Sequence, residues 1–79
     1  MKIYDFDGKK NICGKMVKES RKKLGLTQED LAAKLQVSGV VIDRNSISRI
    51  ESGDRFVADY ELRALSLILN VSLSYLLGL

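Results

Sequence analysis

The chain has 79 residues and a net charge of +3, from 13 basic and 10 acidic side chains, a length that allows one small domain. Histidine is absent and Cys13 is the sole cysteine, which excludes a Cys/His zinc site, a disulfide framework and a Ser-His-Asp triad. The longest uncharged stretch, Ala64 to Leu79, holds only 16 residues and includes Ser66, Asn70, Ser72, Ser74 and Gly78, short of the ~20 apolar residues of a membrane span.

Charge is unevenly distributed. Residues 9–26 carry Lys9, Lys10, Lys15, Lys18, Arg21, Lys22 and Lys23 against Glu19, a balance of +6, whereas residues 27–79 have five basic and seven acidic side chains. A basic segment on a near-neutral body points towards a polyanion, and equally describes a solubilising helix face. For Lys9, Lys10 and Lys15 the expectation is a solvated surface.

Residues 1–10 are expected to form an N-terminal arm, open to fraying, with Ile3, Tyr4 and Phe6 ahead of Asp7-Gly8. Residues 11–79 form the domain. A first helix is expected from about Ile12 to Leu24, with Asn11 as N-cap and Gly25 as its stop. Its buried side is Ile12, Met16, Val17, Ser20 and Leu24. A second helix has the clearest start: Thr27 is the N-cap, Asp30 sits at the third helical position, and Leu26 can staple onto Leu31. Leu31, Ala32 and Leu35 make its buried stripe.

An apolar connection, Ser38-Gly39-Val40-Val41-Ile42, follows, with Val40 and Val41 expected as core filler rather than a partner-binding patch. Asp43 then caps a third helix from Arg44 to Ser52, and Gly53 ends it. Ile47, Ile50 and Glu51 share one face, and Asn45 and Arg49 lie opposite. A fourth helix starts after Asp59, with Leu62, Leu65, Ser66 and Leu69 inward. A short fifth follows Ser72. The expected fold is all-α, five short helices with no strand.

The third helix presents Arg44, Asn45, Ser46, Ser48 and Arg49 outward. Taken alone, this is also what a solvated helix presents. Yet the major groove admits one α-helix, in which Arg can grip guanine and Asn adenine. A helix entering by its N-terminus puts Arg44 and Asn45 nearest the base edges, and Arg49 continues the same ridge.

From Gly14 to Leu77 the chain resembles the Cro/phage-repressor (Xre) type helix-turn-helix domain. The matching words are GKMVKESRKKLGLTQEDLAAKL, IDRNSISRIESGDR and ELRALSLILNVSLSYLL. LTQEDLA and SISRIESG are the most specific, and their order, ending in NVSLSYLL, strengthens the match. The resemblance implies a compact five-helix lambda-repressor-like domain that binds double-stranded DNA as a small transcriptional regulator, a repressor of a bacterial, phage or mobile-element operon. It implies base contacts from Arg44, Asn45, Ser48 and Arg49. Phosphate contacts are expected from Thr27, Gln28, Ser46 and Arg55, with the helix N-terminus adding its own amides; Arg55 reads equally as a solvated loop cation, Gln28 also as a plain helix-surface residue, and Ser46 as part of the Asp43 cap. It also implies a partly buried ion pair between Arg21 and Glu51. One departure stands out: twelve steps separate Leu35 from Ile47, five more than in the family pattern. The turn before the recognition helix is thus expected to be lengthened around 38–42.

A single short recognition helix reads few base pairs, so a homodimer on two half-sites is expected. Its interface is placed at surplus apolar residues near the C-terminus, Leu67, Ile68, Tyr75, Leu76 and Leu79, with simple closure of the core by some of them as the alternative. The alternative is a protein-interaction module, or an antitoxin or controller protein of the same fold, acting with a partner protein. No phosphate-binding glycine loop or metal-ligand cluster is evident, so no enzymatic activity, cofactor, metal or small-molecule ligand is expected. The expected location is the cytoplasm, on the nucleoid when bound to DNA.

Overall fold

Three of the five helices begin at a residue whose side chain accepts from a backbone amide of the first turn, and each helix is followed within two residues by one with positive φ. The structure, a computed structural model, describes residues 6–79. Its helices are α1 (Gly14–Lys23), α2 (Gln28–Val37), α3 (Arg44–Ser52), α4 (Asp59–Leu69) and α5 (Leu73–Leu76), and no strand occurs among the described residues.

Helix α1 starts two residues later than the sequence suggests. Cys13 occupies the cap position without a side-chain hydrogen bond. Asn11 Oδ1 instead accepts from Gly14 N at 2.8 Å, which leaves its amide nitrogen for use elsewhere. Arg21, Lys22 and Lys23 fall in the last turn, where cations oppose the negative end of the helix dipole. Of the five residues expected to be buried, Val17 and Ser20 are buried and Met16 packs half-buried on the core, but Ile12 and Leu24 are about half-exposed. Both flank the helix proper and so lie off its inward stripe.

Helix α2 has the expected reciprocal cap: Thr27 Oγ1 accepts from Asp30 N at 3.0 Å and Asp30 Oδ2 accepts from Thr27 N at 2.9 Å. It ends where Gly39 takes φ +95° and Val40 N donates back to Leu35 O at 3.0 Å, the helix-ending loop closure in which a residue beyond the end also packs on the core. Val40 does so. Val41 does not, being 79% exposed; next to the turn, alternate side chains point in and out, and Ile42 takes the buried position. Residues 38–43 form the connection from α2 to α3.

Asp43 Oδ1 accepts from Ser46 N at 2.7 Å to start α3, and Gly53, at φ +87°, ends it. At α4, Ala58 offers no side-chain acceptor, but Glu61 Oε1 accepts from Ala58 N at 3.0 Å. Asn70 closes α4 in the left-handed region, which Asn tolerates better than most residues. Ser72 caps α5 by accepting from Tyr75 N.

The core is Cys13, Val17, Leu31, Leu35, Ile42, Ile47, Ile50, Leu65, Leu69 and Leu76, with the slightly more exposed Ala64 beside them. Helix α3 packs against both α1 and α2. Gly14 makes the first contact possible, because a Cβ there would collide with the Ile50 carbonyl oxygen. Leu76 is wholly buried, which removes it from the expected dimer interface: α5 needs it to close the core. No helix among the described residues is long and apolar enough to cross a membrane.

Of the expected N-terminal arm over 1–10, residues 1–5, including Ile3 and Tyr4, lie outside the described residues. Residues 6–10 form a tight turn. Phe6 and Lys9 exchange backbone hydrogen bonds at 2.7 and 2.9 Å across Asp7 and Gly8, whose φ values are +53° and +77°. Two successive positive φ values are what a two-residue hairpin turn needs, and Asp-Gly supplies them.

Candidate nucleic-acid interface

Helix α3 buries Ile47 and Ile50 and turns Arg44, Asn45, Ser48 and Arg49 to solvent. Ser46 is half-buried at the flank, where its amide serves the Asp43 cap. Among the described residues the side chains of Asn45 and Ser48 have no hydrogen-bond partner. Arg44 Nη1 lies 2.9 Å from Glu29 Oε1, and both side chains are exposed. An exposed pair of this kind contributes ~0–1 kcal/mol and exchanges readily for another anion. Arg49 makes only a long contact, 3.5 Å, to the Asp54 carbonyl. Four polar side chains thus point outward on one helix face with little holding them.

The phosphate set is less uniform. The Thr27 hydroxyl is engaged in its cap. Gln28 Nε2 donates to Glu51 Oε1 at 3.1 Å, so its amide is directed at the ion pair beneath. Arg55 grips Glu61 with both Nη atoms, at 2.9 and 3.0 Å, and donates to the Phe56 carbonyl at 2.8 Å. Hydrogen bonds from Arg55 hold the Glu61 carboxyl below its ordinary pKa. The guanidinium expected on DNA therefore anchors the start of α4, and no spacing in the sequence singled out Glu61 as its partner.

Arg21 Nε and Nη2 meet Glu51 Oε2 and Oε1 at 2.7 and 3.0 Å, and Arg21 Nη1 donates to Leu26 O at 2.8 Å. Both charged groups are nearly buried, at 9% and 4% exposure. With Gln28, this network joins α1, the start of α2 and the last turn of α3, which fixes α3 relative to the rest of the domain.

The C-terminal end of α3 has a second set of ties that sequence reading missed. The last carbonyls of a helix lack intrahelical partners. Here residues 9–11 supply them: Asn11 Nδ2 donates to Ile50 O at 3.1 Å, Lys9 Nζ to Ser52 O at 3.0 Å, and Lys10 N to Gly53 O at 2.8 Å. Asn11 Nδ2 also reaches Arg55 O at 2.8 Å. The Asp7-Gly8 pair was the available signal, a hairpin dipeptide just ahead of the three residues that do this.

At the C-terminal end of the chain, Leu67 and Leu79 are 74% and 90% exposed, while Ile68 and Tyr75 pack half-buried on the core. Among the described residues, no group of acidic or thiol side chains is arranged to hold a metal ion.

A helix-turn-helix family model matches residues 17–76. Among solved structures, the restriction-modification controller protein C.AhdI from Aeromonas hydrophila is similar, with a TM-score of 0.68 and 31% identity over 81% of this chain and 86% of that one. Comparison with curated proteins found no match.

Proposed function

Because the chain belongs to the helix-turn-helix family, we propose that α3 enters the major groove and reads base edges with Arg44, Asn45, Ser48 and Arg49. The protein is a DNA-binding transcriptional regulator. The observation that carries it is the outward face of α3, where Asn45 and Ser48 are unpartnered and Arg44 and Arg49 are only lightly held. These side chains can change partners at little cost, whereas the rest of α3 is fixed by Ile47, Ile50 and Glu51. An Arg on guanine or an Asn on adenine contributes ~1–3 kcal/mol of discrimination.

Phosphate contacts in this reading come from the start of α2, where amide groups and the dipole favour an anion beside Thr27 and Gln28. They also come from Ser46 at the flank of α3. Arg55 contributes through its position near the backbone rather than as a free cation, since Glu61 holds it. The protein works as a homodimer, with Leu67 and Leu79 as the apolar residues that a second copy covers, and it acts as a repressor in the cytoplasm, on the nucleoid. The similarity to a restriction-modification controller protein supports regulation of transcription by a small domain of this size.

Selection of bound duplexes from a randomised pool, followed by sequencing, tests the reading. A two-fold-symmetric motif is the expected result, with half-sites about one helical turn apart. A folded protein that enriches no sequence contradicts it. Sedimentation that finds only monomer, free and on DNA, removes the homodimer.

A further inference from the structure

The N-terminal turn brings two consecutive lysines to the end of α3, and their side chains leave in different directions. Lys9 crosses Gly53, where a Cβ would collide with its stem, and its ammonium donates to Ser52 O at 3.0 Å. A cation there answers the negative end of the helix dipole, so Lys9 is used within the fold. Lys10 is anchored at its backbone, through the 2.8 Å hydrogen bond to Gly53 O. Its ammonium stands 5.8 Å from the centroid of the Phe56 ring.

Lys10 lines an open concavity of about 430 Å³ together with Arg49, Asp54, Arg55, Phe56 and Tyr60. This concavity borders the outward face of α3 through Arg49. Its charges are not balanced equally. Glu61 neutralises Arg55. The Asp54 carboxylate accepts from the Ser52 hydroxyl at 3.0 Å and, with Glu61 committed to Arg55, is the remaining opposing charge among the described lining residues. Lys10 and Arg49 form no ion pair among the described residues. A lysine normally loses much rotamer freedom when a ligand orders it. Here the backbone anchor and the Phe56 ring beneath the ammonium restrict the side chain before any ligand arrives and lower that cost.

We infer that Lys10 seats a DNA backbone phosphate beside the C-terminal end of α3, next to the base pair that Arg49 faces. The inference rests on the placement of α3 in the major groove. The exposed Tyr60 lines the same concavity. With amides at the start of α2 on one side and Lys10 on the other, the recognition helix is held to the backbone at both ends. The turn of residues 6–10 then has a dual use: Lys9 closes the helix end and Lys10 grips the DNA.

The test is the salt dependence of binding. The full chain is titrated onto a fluorescein-labelled duplex of mixed sequence across a range of salt, and the slope of log K against log salt is compared between variants. Each phosphate neutralised contributes about 0.9 to that slope. Lys10→Gln keeps its backbone hydrogen bond and is expected to melt as the parent does. Its slope becomes shallower by about 0.9, and Lys10→Arg restores it. Lys23→Gln makes the same charge change beside Leu69 and Val71, at the far end of α1, and leaves the slope at its parental value. Equal slopes for Lys10→Gln and the parent overturn the phosphate seat while leaving the DNA-binding reading intact. An equal fall in Lys23→Gln also overturns it, since net charge alone then accounts for the effect. A parent chain that binds no duplex at low salt overturns both readings together.

Discussion

Asn11 Nδ2 lies 3.1 Å from the carbonyl oxygen of Ile50, thirty-nine residues away in sequence. The same nitrogen donates to Arg55 O at 2.8 Å, and Asn11 Oδ1 accepts from Gly14 N. One side chain therefore starts α1 and closes the end of α3. Asn11→Ala removes both functions. Net losses of ~0.5–1.5 kcal/mol per hydrogen bond predict a destabilisation of about 2 kcal/mol. In a domain of this size that lowers Tm by roughly 10 °C. A thermal melt followed by circular dichroism measures it, and a Tm within a degree or two of the parent's contradicts the assignment.

Glu51→Ala strands the nearly buried Arg21 guanidinium. Breaking one side of such a pair costs ~3–5 kcal/mol, because the remaining charge has no compensating partner. A domain of this kind has a total stability of ~5–15 kcal/mol, so urea unfolding should reveal a large loss. Replacing both partners, as in Arg21→Met with Glu51→Leu, should recover much of it. If the double variant is less stable than Glu51→Ala, desolvation of Arg21 is not the cause.

Gly14 and Gly39 should respond differently to the same alanine substitution. At Gly14 a Cβ meets the Ile50 carbonyl, so α1 must move away from α3. At Gly39 there is open space around a Cβ, and the cost is the positive φ alone, ~1–2 kcal/mol. Gly14→Ala is therefore expected to be the more damaging of the two, by urea midpoint and by loss of DNA binding. The reverse order would falsify the close contact between α1 and α3.

Acid should destabilise the fold in a defined direction. Glu61 lies below its ordinary value of 4.5, through hydrogen bonds from Arg55 and from Ala58 N. Asp30 and Asp43 lie below 3.8, through hydrogen bonds from the amides and hydroxyls of Thr27 and Ser46. A carboxyl whose folded pKa is lowered contributes stability that is complete above its unfolded pKa and is lost as pH falls through the folded one. Stability should hold at neutral pH and decline below about 4.5. Burial raises the Cys13 thiol above 9.0, which adds an opposite loss as pH rises beyond that value. Melts across pH measure both limbs. In Glu61→Gln the acid limb should be shallower, and an unchanged limb assigns the acid loss to other groups.

Much of this architecture is written in local signals. Thr27 with Asp30, Asp43 ahead of Ser46, and Gly53 after Ser52 each act within a few residues, and each lies where its chemistry predicts. The core stripes of α2 and α3 follow from helical periodicity for the same reason. What stayed hidden depends on distant partners. Arg55 reads as a loop cation until Glu61 is folded against it, and Gln28 reads as a surface amide until Glu51 arrives beneath it. Asn11 reads as a cap and is also a strut, because its carbonyl partners come from the other end of the domain. Leu76 looked surplus because the sequence does not say how much apolar surface α5 must cover. The outward face of α3 was legible from periodicity alone, since no tertiary partner redirects Asn45 or Ser48.

That face permits a division of labour to be tested directly. Asn45 is unpartnered and sits in the first turn of α3, so its amide is available to hydrogen-bond a single base edge. Asn45→Ala should fold normally, and selection from a randomised pool should return the parental motif with preference lost at one position of each half-site. The expected loss of discrimination there is ~1–3 kcal/mol. Gln28 stands at the start of α2 with its amide on Glu51. Its replacement by alanine loosens that tie at the start of α2, where the phosphate contact is proposed, so Gln28→Ala should weaken binding to all duplexes to a similar extent and return the full parental motif. Variants that lose the same motif position would place both residues on the same base pair. Two unaltered motifs would instead move base reading to Arg44, Ser48 and Arg49, and leave Asn45 as a solvated residue on the edge of the interface.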